Sequence, residues 1–161
     1  MHYLDIMKNN KVRIFTGGTF DLFHNGHLNI LRQAKNLGGY LIVGVSTDEL
    51  IRTYKEEPIM TLENRMEIIS HIDFVDEVVP QYKLFDIDQF NALKADFFVV
   101  GDDWSDNQEN KEILWLKERN KIKFFPYTKG LSSTIIKKKI IDNARSTVYA
   151  NLQSRVLWLI Y

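Results

Sequence analysis

Two histidines, His24 and His27, stand three positions apart with a glycine between them, in the stretch Gly17-Gly18-Thr19-Phe20-Asp21-Leu22-Phe23-His24-Asn25-Gly26-His27. An apolar run, Val12 to Phe15, precedes the stretch, and a helix-like run, Leu28 to Leu37, follows it. A glycine-rich turn from strand to helix presents free backbone N–H groups, which attract anions. Rings at i and i+3 on a helix start face one way. Imidazoles there can donate to phosphate oxygens whose charge grows as pyrophosphate leaves. The pattern points to chemistry on a nucleoside triphosphate. The plainer reading is a capping or buried histidine pair, but Gly26, Thr19 and the strand–turn–helix context all favour the chemical one.

Other residues could serve the same anion. Lys55 sits on the loop before a helix that opens near Thr61, where a lysine can swing onto phosphate as a point charge. Ser132, Ser133 and Thr134 form an N-cap cluster, and a cap and a phosphate site use the same exposed amides. Asp102 and Asp103 follow a strand end, where Asx-capped turns are common. Arg65 has two readings: a helix-surface partner of Glu63 or Asp76, or a pocket cation. Asp48 and Glu49 read as a helix start, Lys137 to Lys139 as a solvated helix face, and His2 and His71 as incidental.

The elements that must position these groups are legible from apolar spacing. Val12 to Phe15, Tyr40 to Val45, Val75 to Val79 (closed by Pro80), Phe97 to Val100 and Ile122 to Phe125 read as five strands. Between them, Leu28 to Leu37, Thr61 to about Ile72, Ile87 to Leu93 and Lys111 to Arg119 read as helices, and Ser132 to Ile141 closes the fold. Apolar strands alternating with helices imply an α/β fold, a parallel five-stranded sheet with helices on both faces. In such sheets ligands bind beyond the carboxyl ends of the strands, where the distinctive segments fall. The chain has 161 residues, with 21 basic and 21 acidic, which suits one domain and disfavours a nucleic-acid surface. It has no cysteine, so disulfides and thiolate metal sites are excluded. No run reaches the ~18 apolar residues of a spanning helix, and a cytoplasmic protein is expected. The apolar end, Val156 to Tyr161, is expected to pack on the domain or on a second subunit.

Gly18-Thr19-Phe20-Asp21 with His24-Asn25-Gly26-His27 resembles the HxGH signature of the nucleotidyltransferase superfamily. Val99-Val100-Gly101-Asp102-Asp103-Trp104 is similar to the GDDW segment of the glycerol-3-phosphate cytidylyltransferase family, Gly130 to Thr134 to its RTEGISTT segment, and Phe74 to Val79 to its YVDEV stretch. The resemblance runs from about Val12 to Ile141. It implies a Rossmann-like nucleotidyltransferase domain over 1–141, followed by a C-terminal tail over 142–161. It implies transfer of CMP from CTP to a small phosphorylated alcohol, with Mg²⁺ brought by the nucleotide and no dedicated protein metal site. A homodimer is expected, as in relatives. By the same resemblance His24, His27 and Lys55 are catalytic. Gly18, Thr19, Phe20, Asp21, Gly101, Asp102, Asp103, Ser132, Ser133 and Thr134 bind the nucleotide, one of the two aspartates accepting from the cytosine amino group. A phosphomonoester acceptor is already a dianion near neutral pH, so such a transfer needs positioning and charge neutralisation rather than a nucleophile–base triad.

The chain departs from the family at three places. The arginine before the GIST-like segment falls at Tyr127, with Lys129 nearby. The arginine before YVDEV falls at Asp73. The lysine pair of the glycerol-3-phosphate enzymes falls at Tyr54 and Glu56, leaving Lys55. Arg65, Asp73, Tyr127 and Lys129 are therefore the expected acceptor-side residues, and the acceptor is open between polyol and aminoalcohol phosphates. An adenylyltransferase of the same fold and a non-catalytic nucleotide-binding protein remain rival readings.

Overall fold

The computed structural model describes residues 11–102, 110–126 and 128–157, with side chains to residue 147. Asp103, Trp104, Tyr127, His2 and the last residues of the apolar tail lie outside the described residues. The chain divides into two compact units, Met1–Thr128 and Lys129–Tyr161.

The first unit is a parallel sheet in the order β3-β2-β1-β4-β5, built from β1 (Arg13–Gly18), β2 (Tyr40–Ser46), β3 (Glu77–Gln81), β4 (Phe97–Gly101) and β5 (Ile122–Phe125). Its helices are α1 (Asn25–Leu37), α2 (Asp48–Arg52), α3 (Leu62–Ser70), α4 (Ile87–Ala92) and α5 (Lys111–Glu118). Alternate residues of the central strands feed two separate cores. Phe15, Ile42, Phe98 and Val100 pack with Phe90 of α4 and with Ile113 and Leu116 of α5. Ile14, Leu41, Val43 and Val99 pack on the other face with Leu31 and Ala34 of α1 and Ile69 of α3. Strands buried on both faces must be apolar throughout, which is the expected α/β pattern. The strand order reverses between β1 and β4, so the crevice beyond their carboxyl ends is the ligand position for this architecture. Thr16 Oγ1 donates to Val99 O at 2.9 Å beside that point.

Among the strand and helix limits that differ from expectation, two have a clear physical cause. β3 runs to Gln81, with Pro80 inside it opposite Val45. An edge strand tolerates proline because one side of its backbone makes no ladder bond. α1 starts at Asn25 rather than Leu28, because the His24 side chain caps it. Thr61 does cap α3, its side chain accepting from Asn64 N–H, and Thr47 caps α2 in the same way through Leu50 N–H.

The second unit carries α6 (Ser133–Leu157), 25 residues long. The expected boundary at residue 141 falls inside this helix. Asp142 to Arg145 contain no glycine or proline to stop it. Among the described residues, no helix is long and apolar enough to cross a membrane.

Candidate active site

The turn from β1 to α1 is held in an unusual backbone. Phe20 and Leu22 have φ of 54° and 49°, left-handed values that cost bulky residues roughly 1–3 kcal/mol each and persist where the surroundings impose them. The Phe20 ring is buried and meets the His27 ring edge-on at 5.4 Å, while Phe23 stacks on His27 at 5.5 Å. Phe20 thus spends its ring on shaping His27, and only its backbone is left to offer a nucleotide. Upstream, Gly17 leaves room for Gln81: a Cβ there would stand 2.5 Å from the Gln81 amide.

His24 is the N-cap of α1. Its Nδ1 accepts from Gly26 N–H at 3.0 Å, so that nitrogen must be unprotonated, and the proton of the neutral ring sits on Nε2. His27, in the first turn, stacks on His24 with centroids 3.9 Å apart and planes 17° from parallel. His24 Nε2 and His27 Nδ1 are buried and have no hydrogen-bond partner among the described residues. Burial lowers the pKa of His24. His27 is pushed down to about 3, chiefly by burial, then by the His24 and Lys55 charges, with Asp21 opposing. Two rings this close cannot both carry charge without an anion beside them. The pair is a neutral donor platform at a helix N-terminus, where the macrodipole adds positive potential.

Around this platform the loops are tied by two buried charged groups. The Asp21 carboxylate, 3% exposed, accepts from Ile59 N–H at 3.1 Å and Met60 N–H at 3.0 Å. Arg65, 1% exposed, donates from Nε to Met60 O at 3.0 Å and from Nη1 to Thr19 O at 2.6 Å and Ser46 O at 2.8 Å. Its Nη2 pairs with Asp48. Neither sequence reading of Arg65 anticipated this. It is no surface partner of Glu63 or Asp76, and its donors are committed to the backbone rather than open to an acceptor. Nor is Asp48 merely a helix start. The composition of the loops gave no signal for this knot, because the β1–α1 turn and the end of β2, 46 and 19 positions from Arg65, meet at one guanidinium.

Lys55 is exposed on the strap between α2 and α3, and its charge reaches His27. The strap is braced by Arg52, whose guanidinium grips Glu57 at 2.6 and 2.8 Å. Gly18 ends β1 beside Phe20. Gly101 is buried at the end of β4, and Asp102 follows it exposed. Asn29 of α1 donates to Thr128 Oγ1 at 3.0 Å, which brings the segment after β5 back to the same end of the sheet.

Asp73 is placed elsewhere. It is exposed in the turn between α3 and β3, three residues before Asp76, whose N–H bonds Leu41 O near the start of β2. That is the amino end of the strands, opposite the histidines, so its expected place on the acceptor side is not met. In the second unit, Lys129 is exposed in a turn with Gly130 at φ 76°. Ser132 Oγ accepts from Ile135 N–H at 3.2 Å, the cap bond of α6. Ser133 opens that helix and Thr134 is exposed on it.

Comparison with known proteins agrees with this arrangement. Residues 15–139 match the family described as Cytidylyltransferase-like. The chain is 42% identical over 130 residues to a glycerol-3-phosphate cytidylyltransferase of Bacillus spizizenii, covering 78% of this chain and 95% of that protein. It is 37% identical over 126 residues to an ethanolamine-phosphate cytidylyltransferase of Dictyostelium discoideum, covering 76% of this chain and 35% of that one. Among solved structures, a lipopolysaccharide core biosynthesis protein from Thermoplasma volcanium aligns with TM-score 0.60 and 27% identity, over 74% of this chain and 98% of that one. The five-stranded parallel sheet, the histidine pair at its switch point and these likenesses place the chain in the cytidylyltransferase-like family.

Proposed function

We propose that this protein transfers a cytidylyl group from CTP to a small phosphorylated alcohol and releases pyrophosphate. The observation that carries the reading is the stacked His24–His27 pair at the start of α1, with buried ring nitrogens that no group among the described residues satisfies. Buried polar atoms in native structures have partners, and exceptions call for a reason. Here the reason is a phosphate that takes those bonds. The relatives acting on glycerol 3-phosphate and ethanolamine phosphate support the substrate class.

In this reading an oxygen of the acceptor phosphate, a dianion near neutral pH, attacks the α-phosphorus of CTP. A new P–O bond forms, the bond to the β-phosphate oxygen breaks, and pyrophosphate leaves with the electron pair. No base is required. His24, whose cap bond fixes the proton on Nε2, donates toward the triphosphate, and the neutral His27 ring beside it donates a hydrogen bond to oxygens on which charge grows as pyrophosphate leaves. Lys55 supplies a mobile cation to the α-phosphate. Arg65 and Asp21 hold the turn and the strap at the required spacing. By the family resemblance one of Asp102 and Asp103 accepts from the base, and Ser132 and Ser133 serve the β- and γ-phosphates.

Mg²⁺ enters this reading as part of the substrate, Mg·CTP. Among the described residues no group of three or more His, Asp or Glu side chains is arranged to hold a metal ion, and imidazole nitrogens are poor ligands for so hard a cation. A homodimer in the cytoplasm completes the reading, and sedimentation as a monomer would remove the dimer. The deciding experiment crosses CTP, ATP, GTP and UTP with glycerol 3-phosphate, ethanolamine phosphate and other phosphorylated alcohols, reading pyrophosphate. Turnover is expected with CTP. Turnover with ATP alone would sink the cytidylyl assignment, and binding without turnover would make this a nucleotide-binding protein.

A further inference from the structure

The strap that carries Lys55 is anchored beyond Asp21 and Arg65 by a bond with no counterpart in the lysine pair expected at these positions. The Tyr54 hydroxyl and Thr19 Oγ1 lie 3.1 Å apart in a hydrogen bond that joins the strap to the β1–α1 turn. Thr19 is thereby gripped twice, since its carbonyl accepts from Arg65 at 2.6 Å. The Lys55 ammonium lies 5.7 Å from the centre of the Tyr54 ring, within the range of a cation–π contact. The neighbouring groups all serve to fix the strap: Arg52 on Glu57 at its middle, and Asp21 on Ile59 and Met60 at its far end. At Lys55 itself the backbone is held to α2, where the N–H groups of Tyr54 and Lys55 donate to Ile51 O at 3.1 and 2.9 Å, and the Tyr54 side chain adds the bond from that point to the β1–α1 turn.

We propose that Tyr54 is a positioning residue, whose hydroxyl latches the strap to Thr19 and whose ring steers the Lys55 ammonium toward the paired histidines. A lysine at this position would supply a second cation. A tyrosine supplies none, and instead limits where the cation next to it can go. That restriction matters because an exposed lysine on a free loop loses rotamer freedom when it is ordered, and a latch sets part of that order before the nucleotide arrives. What Lys55 does rests on the cytidylyltransferase reading; the latch can be tested without it.

Two measurements separate these. Trypsin cleavage after Arg52 and Lys55 reports strap opening regardless of activity. Tyr54→Phe, and Thr19→Val from the other side of the bond, should each speed that cleavage several-fold while the melting temperature stays at the wild-type value. Unchanged cleavage in both variants overturns the latch. In turnover of CTP with whichever phosphorylated alcohol is used, loss of one neutral hydrogen bond should lower kcat/KM roughly three- to tenfold in Tyr54→Phe. In a Lys55→Met background the same change should have no further effect, because the group being positioned is gone. Losses that multiply in the double variant overturn the positioning role even if the strap opens. A wild-type protein that turns over no nucleotide sinks the functional reading and leaves the cleavage result to decide the latch.

Discussion

At the amino end of the sheet, Arg13 N–H donates to Asp96 at 2.8 Å, its Nε to Leu93 O at 2.8 Å and its Nη2 to Glu77 at 3.2 Å. Tyr40 donates to the same Glu77 at 3.2 Å, and Asp76 accepts from Leu41 N–H at 2.7 Å while pairing with Lys35. Burial and the Glu77 charge push the Tyr40 phenol above its ordinary pKa. At the carboxyl end, two buried imidazole nitrogens have no partner among the described residues, and two bulky residues hold left-handed backbone. One end matches its polar groups to each other, and the other keeps polar groups open above a strained turn. The difference separates what maintains the fold from what is kept for a ligand. Arg65 is the larger exception at the carboxyl end: like Asp21 it is bonded to the loops around it, and so belongs with the structural groups although it sits beneath the site.

The sharpest way to break this contrast is to remove that exception. Arg65→Met leaves Asp48 and three backbone carbonyls without their donor, and should cost about 3–5 kcal/mol in urea unfolding, with turnover lost as the loops separate. A loss below about 1 kcal/mol would mean that the turn holds itself. Next in size is His27→Ala. Turnover should fall about 10²–10³-fold, with the unfolding midpoint near wild type. A variant that fails to fold would make the histidine structural and erase the contrast.

The third prediction concerns pH. The folded His27 pKa is pushed down to about 3, against about 6.5 in the unfolded chain. Between those values the unfolded state binds the extra proton, so stability present above pH 6.5 is lost as pH falls. The loss attributable to His27 is about 2 kcal/mol at pH 5. Denaturant titrations from pH 7 to pH 4 check it, and His27→Gln should flatten that slope. The smallest effect belongs to the amino end. Glu77→Gln weakens a half-exposed pair and should cost about 1 kcal/mol or less, with turnover unchanged. A large loss of turnover there would show the two ends to be coupled.

Much of this was legible in the chain. Apolar runs set the five strands, and the His24–His27 spacing with its flanking turn marked the carboxyl end. The limits that slipped did so where a side chain overrode local pattern: His24 capped α1 early, and an edge position let Pro80 stay in β3. Lys55 was singled out from its loop and its family spacing, but Tyr54 beside it was noticed only as a missing cation. Asp73 was assigned to the acceptor because its neighbours match a family segment. Sequence adjacency does not say which end of a strand a turn occupies.

The amino-acid sequence determined the α/β order, the residue types of the β1–α1 turn and the family to which the chain belongs, because periodicity and short spacing are local properties. It could not decide that Arg65 is buried, that Asp21 faces two loop amides, or that Tyr54 meets Thr19. Those contacts join segments 35 and more positions apart. They exist only because the sheet brings the ends of β1, β2 and the strap to one place, and a group withdrawn from water there must bond whatever the fold presents.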